Sequence, residues 1–254
     1  MEGMTSIKGA AVLVTGGQRG LGEAFVAEFL DLGAAKVYAT ARDPAPAGDA
    51  RIEAVALDVR DEAAVADLAR HARDVSIVVN NAGVPAREPI VKESVANVQA
   101  VFDINVFGPL RVAHHFAPVL AANGGGAMVN IHSALSWAAG AGAYGASKAA
   151  LWSVTNALRV ELAGQGTQVL GVHLGYTDTG MTGDLKVIKN DPRRVARDVL
   201  IALNEGETEV LVDDVSRRFK AALSGPVEGL SWTIRDGEVI VGDPARTASD
   251  HHNT

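Results

Sequence analysis

Tyr144-Gly145-Ala146-Ser147-Lys148 sets a phenol and an ammonium four residues apart, at the head of a long apolar-periodic run. On a helix that spacing brings both side chains to one face, a turn apart. A cation near a phenol favours the phenolate and lowers its pKa, so the pair predicts that Tyr144 can give and take a proton near neutral pH. Tyr-x-x-x-Lys alone is short enough to arise by chance. It becomes chemistry only if the chain also supplies a cofactor and a polarised substrate oxygen. Eleven positions upstream, Ser133 follows the strand-like run Ala127–His132 and precedes a small, apolar loop, Ala134 to Ala143. A loop returning from that strand can bring the Ser133 hydroxyl to the oxygen served by the phenol. Ser136 is the competing hydroxyl, and a plain polar loop residue is the alternative for either.

The elements that must position these groups begin near the N-terminus. Ala10–Val14 is a short apolar run that suits a strand buried on both faces. It leads into Thr15-Gly16-Gly17-Gln18-Arg19-Gly20-Leu21-Gly22, and a helical pattern follows up to Gly33. Glycines in such a turn let backbone approach a pyrophosphate, whose charge the helix N-terminus stabilises. Gly16, Gly20 and Gly22, with Gln18, Arg19 and Leu21 between them, are therefore candidate cofactor contacts. The next strand, Lys36–Thr40, ends at Ala41-Arg42. An acid at this strand end binds ribose hydroxyls, whereas arginine accommodates a 2′-phosphate. Arg42 with Arg19 favours NADP(H) over NAD(H). Asp43 is the rival, and takes the acidic role if the strand runs longer.

The pattern repeats. Ala54–Leu57 ends in Asp58-Val59 and is followed by helical spacing at Val65, Leu68, Ala69 and Ala72. Ser76–Val79 ends in Asn80-Asn81-Ala82-Gly83. Strands alternating with amphipathic helices predict an α/β fold of the doubly wound Rossmann type, a predominantly parallel sheet with helices on both faces and ligands outside the carboxyl ends of the strands. Asp58 falls at such an end and suits the adenine amine, or a simple turn cap. A long helical region, 94–122, is interrupted near Asp103–Gly108, where Asn105 could hold a water that bridges the lysine to solvent. His114 and His115 are adjacent, point to different faces and have no third ligand at suitable spacing, so no metal site is expected.

With 254 residues and 48% hydrophobic composition, the chain can bury a large core in one domain, spanning 1–254. The absence of cysteine excludes disulfides and thiolate chemistry. The formal net charge of −7 argues against a nucleic-acid surface. Met1 to Lys8 lack a signal-peptide pattern and no apolar run spans a bilayer, so a cytoplasmic protein without membrane partners is expected.

Taken together, Thr15-Gly16-x-x-x-Gly20-x-Gly22, Asn80-Asn81-Ala82-Gly83, Asn105, Ser133 and Tyr144-x-x-Ser147-Lys148 resemble the short-chain dehydrogenase/reductase family, in its compact single-domain branch. The resemblance covers roughly residues 8–223 and leaves 224–254 as an atypical extension. It implies that Tyr144 is the general acid/base, that Lys148 lowers its pKa and binds the nicotinamide ribose, that Ser133 polarises the carbonyl and that Asn105 holds a proton-relay water. It also implies that Gly16, Gly20 and Gly22 line the pyrophosphate, that Asp58 and its neighbour Val59 meet adenine, that Ala41 and Arg42 flank the phosphorylated ribose, and that Asn81, Ala82 and Gly83 sit near the adenosine ribose. The expected reaction is NADP(H)-dependent interconversion of a carbonyl and an alcohol. The expected assembly is a homodimer or homotetramer through the helices at 94–122 and 144–163.

Three departures stand out. The Ser133-to-Tyr144 loop is a little shorter than is usual in the family. After the strand Val169–His173, Leu174-Gly175 replaces the common Pro-Gly, which leaves the turn less constrained; Thr177 or Thr179 is the candidate for the carboxamide, Thr179 ranked first. Where a final strand and Asp-Gly-Gly are usual, Trp232–Val241 reads as a hairpin around Asp236-Gly237. Candidate pocket segments, Val84 to Arg87, Leu135 to Ala139 and Tyr176 to Leu185, are mostly apolar or small and predict a neutral, moderately hydrophobic ketone or aldehyde. Residues 178–190 suit either a lid or a surface loop, and the polar end from Asp243 reads as frayed. A cofactor-binding sensor or scaffold without turnover is the reading from a different class.

Overall fold

The structure, a computed structural model, describes residues 5–242. Seven parallel strands form one sheet: β1 (Ala11–Val14), β2 (Lys36–Ala41), β3 (Ile52–Ala56), β4 (Val75–Asn80), β5 (Ala127–Ile131), β6 (Gln168–His173) and β7 (Glu209–Leu211), in the order β3-β2-β1-β4-β5-β6-β7. The helices are α1 (Gly20–Asp31), α2 (Glu62–His71), α3 (Val95–Phe102), α4 (Gly108–Ala122), α5 (Gly142–Glu161), α6 (Pro192–Asn204) and α7 (Asp214–Ala222). The strand order reverses between β1 and β4, which opens a crevice at the carboxyl edge, as a doubly wound Rossmann sheet requires.

Period-two alternation divides each strand between two cores. Val12 and Val14 join Phe25 and Phe29 of α1 and Val195, Val199 and Leu203 of α6 on one face. Leu13 lies between them and points the other way, to Val65 and Leu68 of α2, Val112 and Phe116 of α4 and Leu158 of α5. Burial on both faces is why β1, β4 and β5 read as continuous apolar runs.

The interruption expected near Asn105 is a π-helical turn, Asp103–Phe107, between α3 and α4. Such a turn inserts an extra residue into the helix and re-aims the side chains on it. The reading also needs correction. β3 begins two residues earlier than expected and ends at Ala56; β2 includes Ala41. The seventh strand is the short β7, which the sequence reading passed over. Trp232–Val241 does form a hairpin, β8 (Trp232–Arg235) and β9 (Glu238–Val241), but as a separate two-stranded sheet. Asp236 at φ 53° and Gly237 at φ 81° both take the left-handed conformation that a two-residue type I′ turn demands. The hairpin packs through Trp232 and Val241 against a third cluster built on Trp137 and Phe219 of α7. The expectation for Asp243–Thr254 lies outside the described residues. Among the described residues no helix is long and apolar enough to cross a membrane.

Candidate active site

Two sequence motifs form the floor of the crevice by binding each other. The Thr15 hydroxyl accepts from the backbone N–H groups of Asn81 and Ala82, both at 3.0 Å, and Asn81 Nδ2 donates to Thr15 O at 2.9 Å and Gly16 O at 3.2 Å. Gly16 sits at φ 65°, and a Cβ at Gly22 would collide with the Gly16 carbonyl oxygen, so bare backbone is obligatory where the turn folds onto the helix. The Asn81 NH2 is thus spent on the turn.

α1 begins at this turn with Arg19 as N-cap and no side chain accepting from its first-turn N–H groups. α2, α3, α6 and α7 are each capped, by Asp61, Ser94, Asp191 and Asp213. Unmet donors at a helix N-terminus, a glycine cradle and the dipole together fit a pyrophosphate. Thr179 overhangs the same spot, its Cβ within 3.1 Å of where a Gly20 Cβ would stand. Thr177 is buried, and its backbone pairs with Asn190. Leu21, in the first turn of α1, packs against the core.

At the neighbouring corner, β2 ends at Ala41, so Arg42 is the first residue past the strand and Asp43 the second. Arg42 and Arg19 are exposed and enter no ion pair among the described residues, which leaves both guanidiniums for an anion. Gln18 clasps the loop behind Arg42, accepting from Ala45 N at 2.9 Å and donating to Ala45 O at 2.7 Å. Nothing local in the sequence marks that clasp. Asp58 is gripped by Arg60 at 2.6 Å, and this bond, aided by the charge of Arg42, holds its carboxyl below the ordinary range. The Val59 side chain is buried beneath Gly108, so only its backbone can meet an adenine.

The reacting groups gather where β4, β5 and α5 meet. Lys148 Nζ lies 5.9 Å from the Tyr144 ring centroid, on the same helix face as the spacing required. A Cβ at Gly83 would stand 3.6 Å from that Nζ, so the glycine leaves the ammonium room. Lys148 donates to Ile131 O at 2.8 Å, and burial pulls its pKa down to about 8. The Tyr144 pKa moves opposite to the expected direction. Burial pushes it up to about 12, the Ser133 hydroxyl pulls against that, and Tyr176 adds a further upward push. Lys148, 5.9 Å from the ring centroid, is not among the groups that shift it.

Ser133 extends from β5 and caps the short 3-10 turn Ala134–Ser136. Its hydroxyl accepts from Leu135 N at 3.1 Å, while the Ser136 hydroxyl is occupied by Ser133 N at 3.3 Å. Of the two competing hydroxyls, Ser133 is the one that hydrogen-bonds Tyr144. Asn105 is fully buried. Its Oδ1 accepts from Val84 N at 2.9 Å, and its Nδ2 donates to Val84 O and to Ser147 Oγ, both at 3.0 Å. It ties the loop after β4 to the helix that carries the Tyr-Lys pair.

The Leu174-Gly175 turn is tethered after all, since Gly175 N donates to Asp213 Oδ2 at 2.6 Å and Asn190 Nδ2 donates to the same oxygen at 2.6 Å. Asp213 also caps α7, so one carboxylate fixes the exit of β6, the base of residues 178–190 and the start of a helix. The sequence reading missed it because its partners lie up to 38 positions away. Residues 178–190 form a loop whose ends meet, Asp178 N donating to Asn190 O at 2.9 Å, and it reaches across the crevice. Thr179 stands over the glycine turn, and midway along the loop Asp184 pairs with Arg87, which also donates to Met181 O at 2.7 Å. Ile188 N donates to Gly237 O of the hairpin at 2.8 Å. His115 contacts Glu62 at 2.7 Å, and its ring meets that of the exposed His114 edge-on at 5.0 Å.

Residues 10–188 match the family model described as short chain dehydrogenase. Ketoacyl reductase HetN of Nostoc sp. is 31% identical over 233 residues, 83% of this chain and 80% of the relative. An NADPH-dependent 1-acyldihydroxyacetone phosphate reductase of Schizosaccharomyces pombe is 34% identical over 179 residues, 66% of this chain but only 60% of the relative. Among solved structures, a short chain dehydrogenase from Burkholderia cenocepacia in complex with NADP superposes with a TM-score of 0.82 at 32% identity, covering 86% of this chain and 94% of the other.

Proposed function

The chain belongs to the short-chain dehydrogenase family, and on that footing we propose that it is an NADP(H)-dependent oxidoreductase interconverting a carbonyl and an alcohol. The carrying observation is the convergence of the Ser133 hydroxyl, the Tyr144 phenol and the Lys148 ammonium at the crevice that starts from the bare N-terminus of α1. NADP-bound and NADPH-bound neighbours, and the free Arg19 and Arg42, support the phosphorylated cofactor. Gly16, Gly20 and Gly22 with the first turn of α1 would hold its pyrophosphate, Arg19 and Arg42 its 2′-phosphate, Asp58, Val59 and Asn81 to Gly83 the adenosine end, and Gly175, Thr177 and Thr179 the nicotinamide end. Bound there, it supplies or accepts the hydride.

Ser133 Oγ would donate to the substrate oxygen and Tyr144 would pass its proton to the same atom. A phenol held up near 12 stays protonated at neutral pH, which suits reduction. Lys148, mostly charged at pH 7 with its pKa about 8, faces the phenolate that remains. Val84, Leu135 and Tyr176 would line the substrate side, and Arg87 is already paired with Asp184. This supports a neutral, moderately hydrophobic ketone or aldehyde. A cytoplasmic setting and a homodimer or homotetramer belong to the same proposal; exposed Phe107, Leu110 and Val160 are side chains that such association would cover.

The test is a panel of ketones, aldehydes and alcohols followed by NADPH absorbance, run in parallel with NADH. Turnover of a neutral carbonyl with NADPH is expected. Cofactor binding without turnover across the panel would instead indicate a sensor or scaffold, and product without net NADPH consumption an isomerase or epimerase.

A further inference from the structure

A chain of buried polar groups ends on the backbone of Ser133, and the chemistry above leaves it unused. Asn80 Nδ2 donates to Asn130 Oδ1 at 2.8 Å, and Asn130 Nδ2 donates to Thr155 Oγ1 at 2.9 Å. Thr155 Oγ1 lies 2.8 Å from His132 Nε2, His132 Nδ1 lies 3.0 Å from His173 Nε2, and His173 Nδ1 lies 3.2 Å from Ser133 O. Every one of these side chains is at most 2% exposed. We propose that His132 and His173 are positioning residues for Ser133, forming a one-way hydrogen-bond wire whose last donor, His173 Nδ1–H, fixes the peptide that carries the serine.

The direction follows from elementary valence. A carbonyl oxygen only accepts, so His173 must carry its proton on Nδ1. Neutral His173 then has a bare Nε2, which must accept from His132 Nδ1–H. Neutral His132 in turn has a bare Nε2, which must accept from the Thr155 hydroxyl. Thr155 also lies 2.8 Å from Leu151 O, but its single proton serves one acceptor, and Leu151 O is a helix carbonyl with its own backbone donor. Burial drives both imidazoles toward the neutral form, which the wire requires. The rival is an imidazolium at His173 paired with Glu209, 3.7 Å from Nε2; that carboxylate already holds Lys220 at 2.7 Å.

The ring is also held mechanically. Trp137 stacks on His173 with centroids 3.9 Å apart and planes 19° off parallel. Ser136 N donates to Ser133 O at 3.1 Å from the other side, so the Ser133 carbonyl is gripped by two donors at once. Fixing the peptide fixes the start of χ1, and with it the reach of the hydroxyl toward the substrate oxygen.

This rests on the catalytic reading of Ser133 above, but its first test does not. In long-range 1H–15N correlation spectra of the 15N-labelled protein with NADPH, both rings should appear as Nδ1–H tautomers; Nε2–H on either ring, or double protonation of His173, overturns the wire. The cross-peaks are assigned by their loss in His173→Phe, a variant that keeps a ring on Trp137 but removes the donor. In that variant kcat should fall about tenfold, the loss of one hydrogen bond, with NADPH affinity unchanged. His173→Asn, whose amide returns a donor near the Nδ1 position, should recover most of the loss. An undiminished kcat in the Phe variant, or equal losses in both, overturns the positioning role. Should the Phe variant fail to fold, Thr155→Val removes only the donor to His132 Nε2: His132 keeps its Nδ1–H, which His173 Nε2 still requires, while its Nε2 nitrogen resonance moves to that of an imine nitrogen with no donor; an unmoved Nε2 resonance, or loss of the Nδ1–H tautomer, overturns the wire. If instead no carbonyl is reduced, the Proposed function fails while the tautomers still decide the wire.

Discussion

α1 and α2 start at the same edge of the sheet, each after a strand, yet they finish differently. Asp61 accepts from the N–H of Ala64 in the first turn of α2, whereas no side chain does so for α1, which starts beside two arginines with no ion pair among the described residues. The contrast extends across the molecule. Away from the crevice, buried charge meets its partner, as Glu28 does with Arg193 at 2.8 Å. In the crevice, Lys148 is buried with a lone carbonyl and Tyr144 is pushed away from its ordinary pKa. Groups left incomplete by the fold are the ones a ligand can complete, and disturbing them should change activity more than stability.

Tyr144→Phe is the strongest way to break this contrast. It should cost about 10²–10⁴-fold in kcat while NADPH affinity and melting temperature stay near wild type; kinetics and calorimetry on the same sample check both halves. Lys148→Met comes next. The folded pKa of about 8 lies below the ordinary 10.5, so between those values the unfolded chain binds more protons and wild-type stability rises with pH. The variant lacks that titration. It should lose turnover yet be more stable at pH 7, by up to on the order of 3 kcal/mol, the gap closing by pH ~10.5. Denaturant melts at pH 7, 9 and 10.5 read this directly. Arg42→Asp should shift the ratio of NADPH to NADH affinity by about tenfold or more, leaving stability unchanged, as titration calorimetry with each cofactor would show. On the self-satisfied side, Asp61→Ala should cost about 1 kcal/mol of stability and no activity. An activity loss larger than the stability loss there would break the comparison from the other end.

Five of the seven sheet strands were legible because burial on both faces writes an apolar run into the sequence, and the half-buried edge strand β3 was legible, with shifted bounds, from its short apolar stretch before Asp58. β7 was not: three half-buried residues, Glu209–Leu211, leave almost no pattern, and the β-prone Trp232–Val241 drew attention to a hairpin that pairs only with itself. The glycine turn and the Tyr-Lys spacing were legible because each is local. The sign of the Tyr144 shift was not, since it depends on how deeply the fold seats the phenol. Asp213, and the His132–His173 contact across 41 positions, arise from strands and helices brought together by topology. In one dimension each is only a polar residue near a strand end.

The β8–β9 hairpin supports both walls of the crevice. Ile188 of the crossing segment bonds Gly237, and Ala139 of the loop after Ser133 donates to Leu230 at 2.8 Å and accepts from Trp232 Nε1 at 3.1 Å. The hairpin and both of these loops are therefore coupled through their backbones. A chimaera that imports residues 178–190 from a relative would strand the new loop without its backbone partner, so grafting should succeed only when tail and loop travel together.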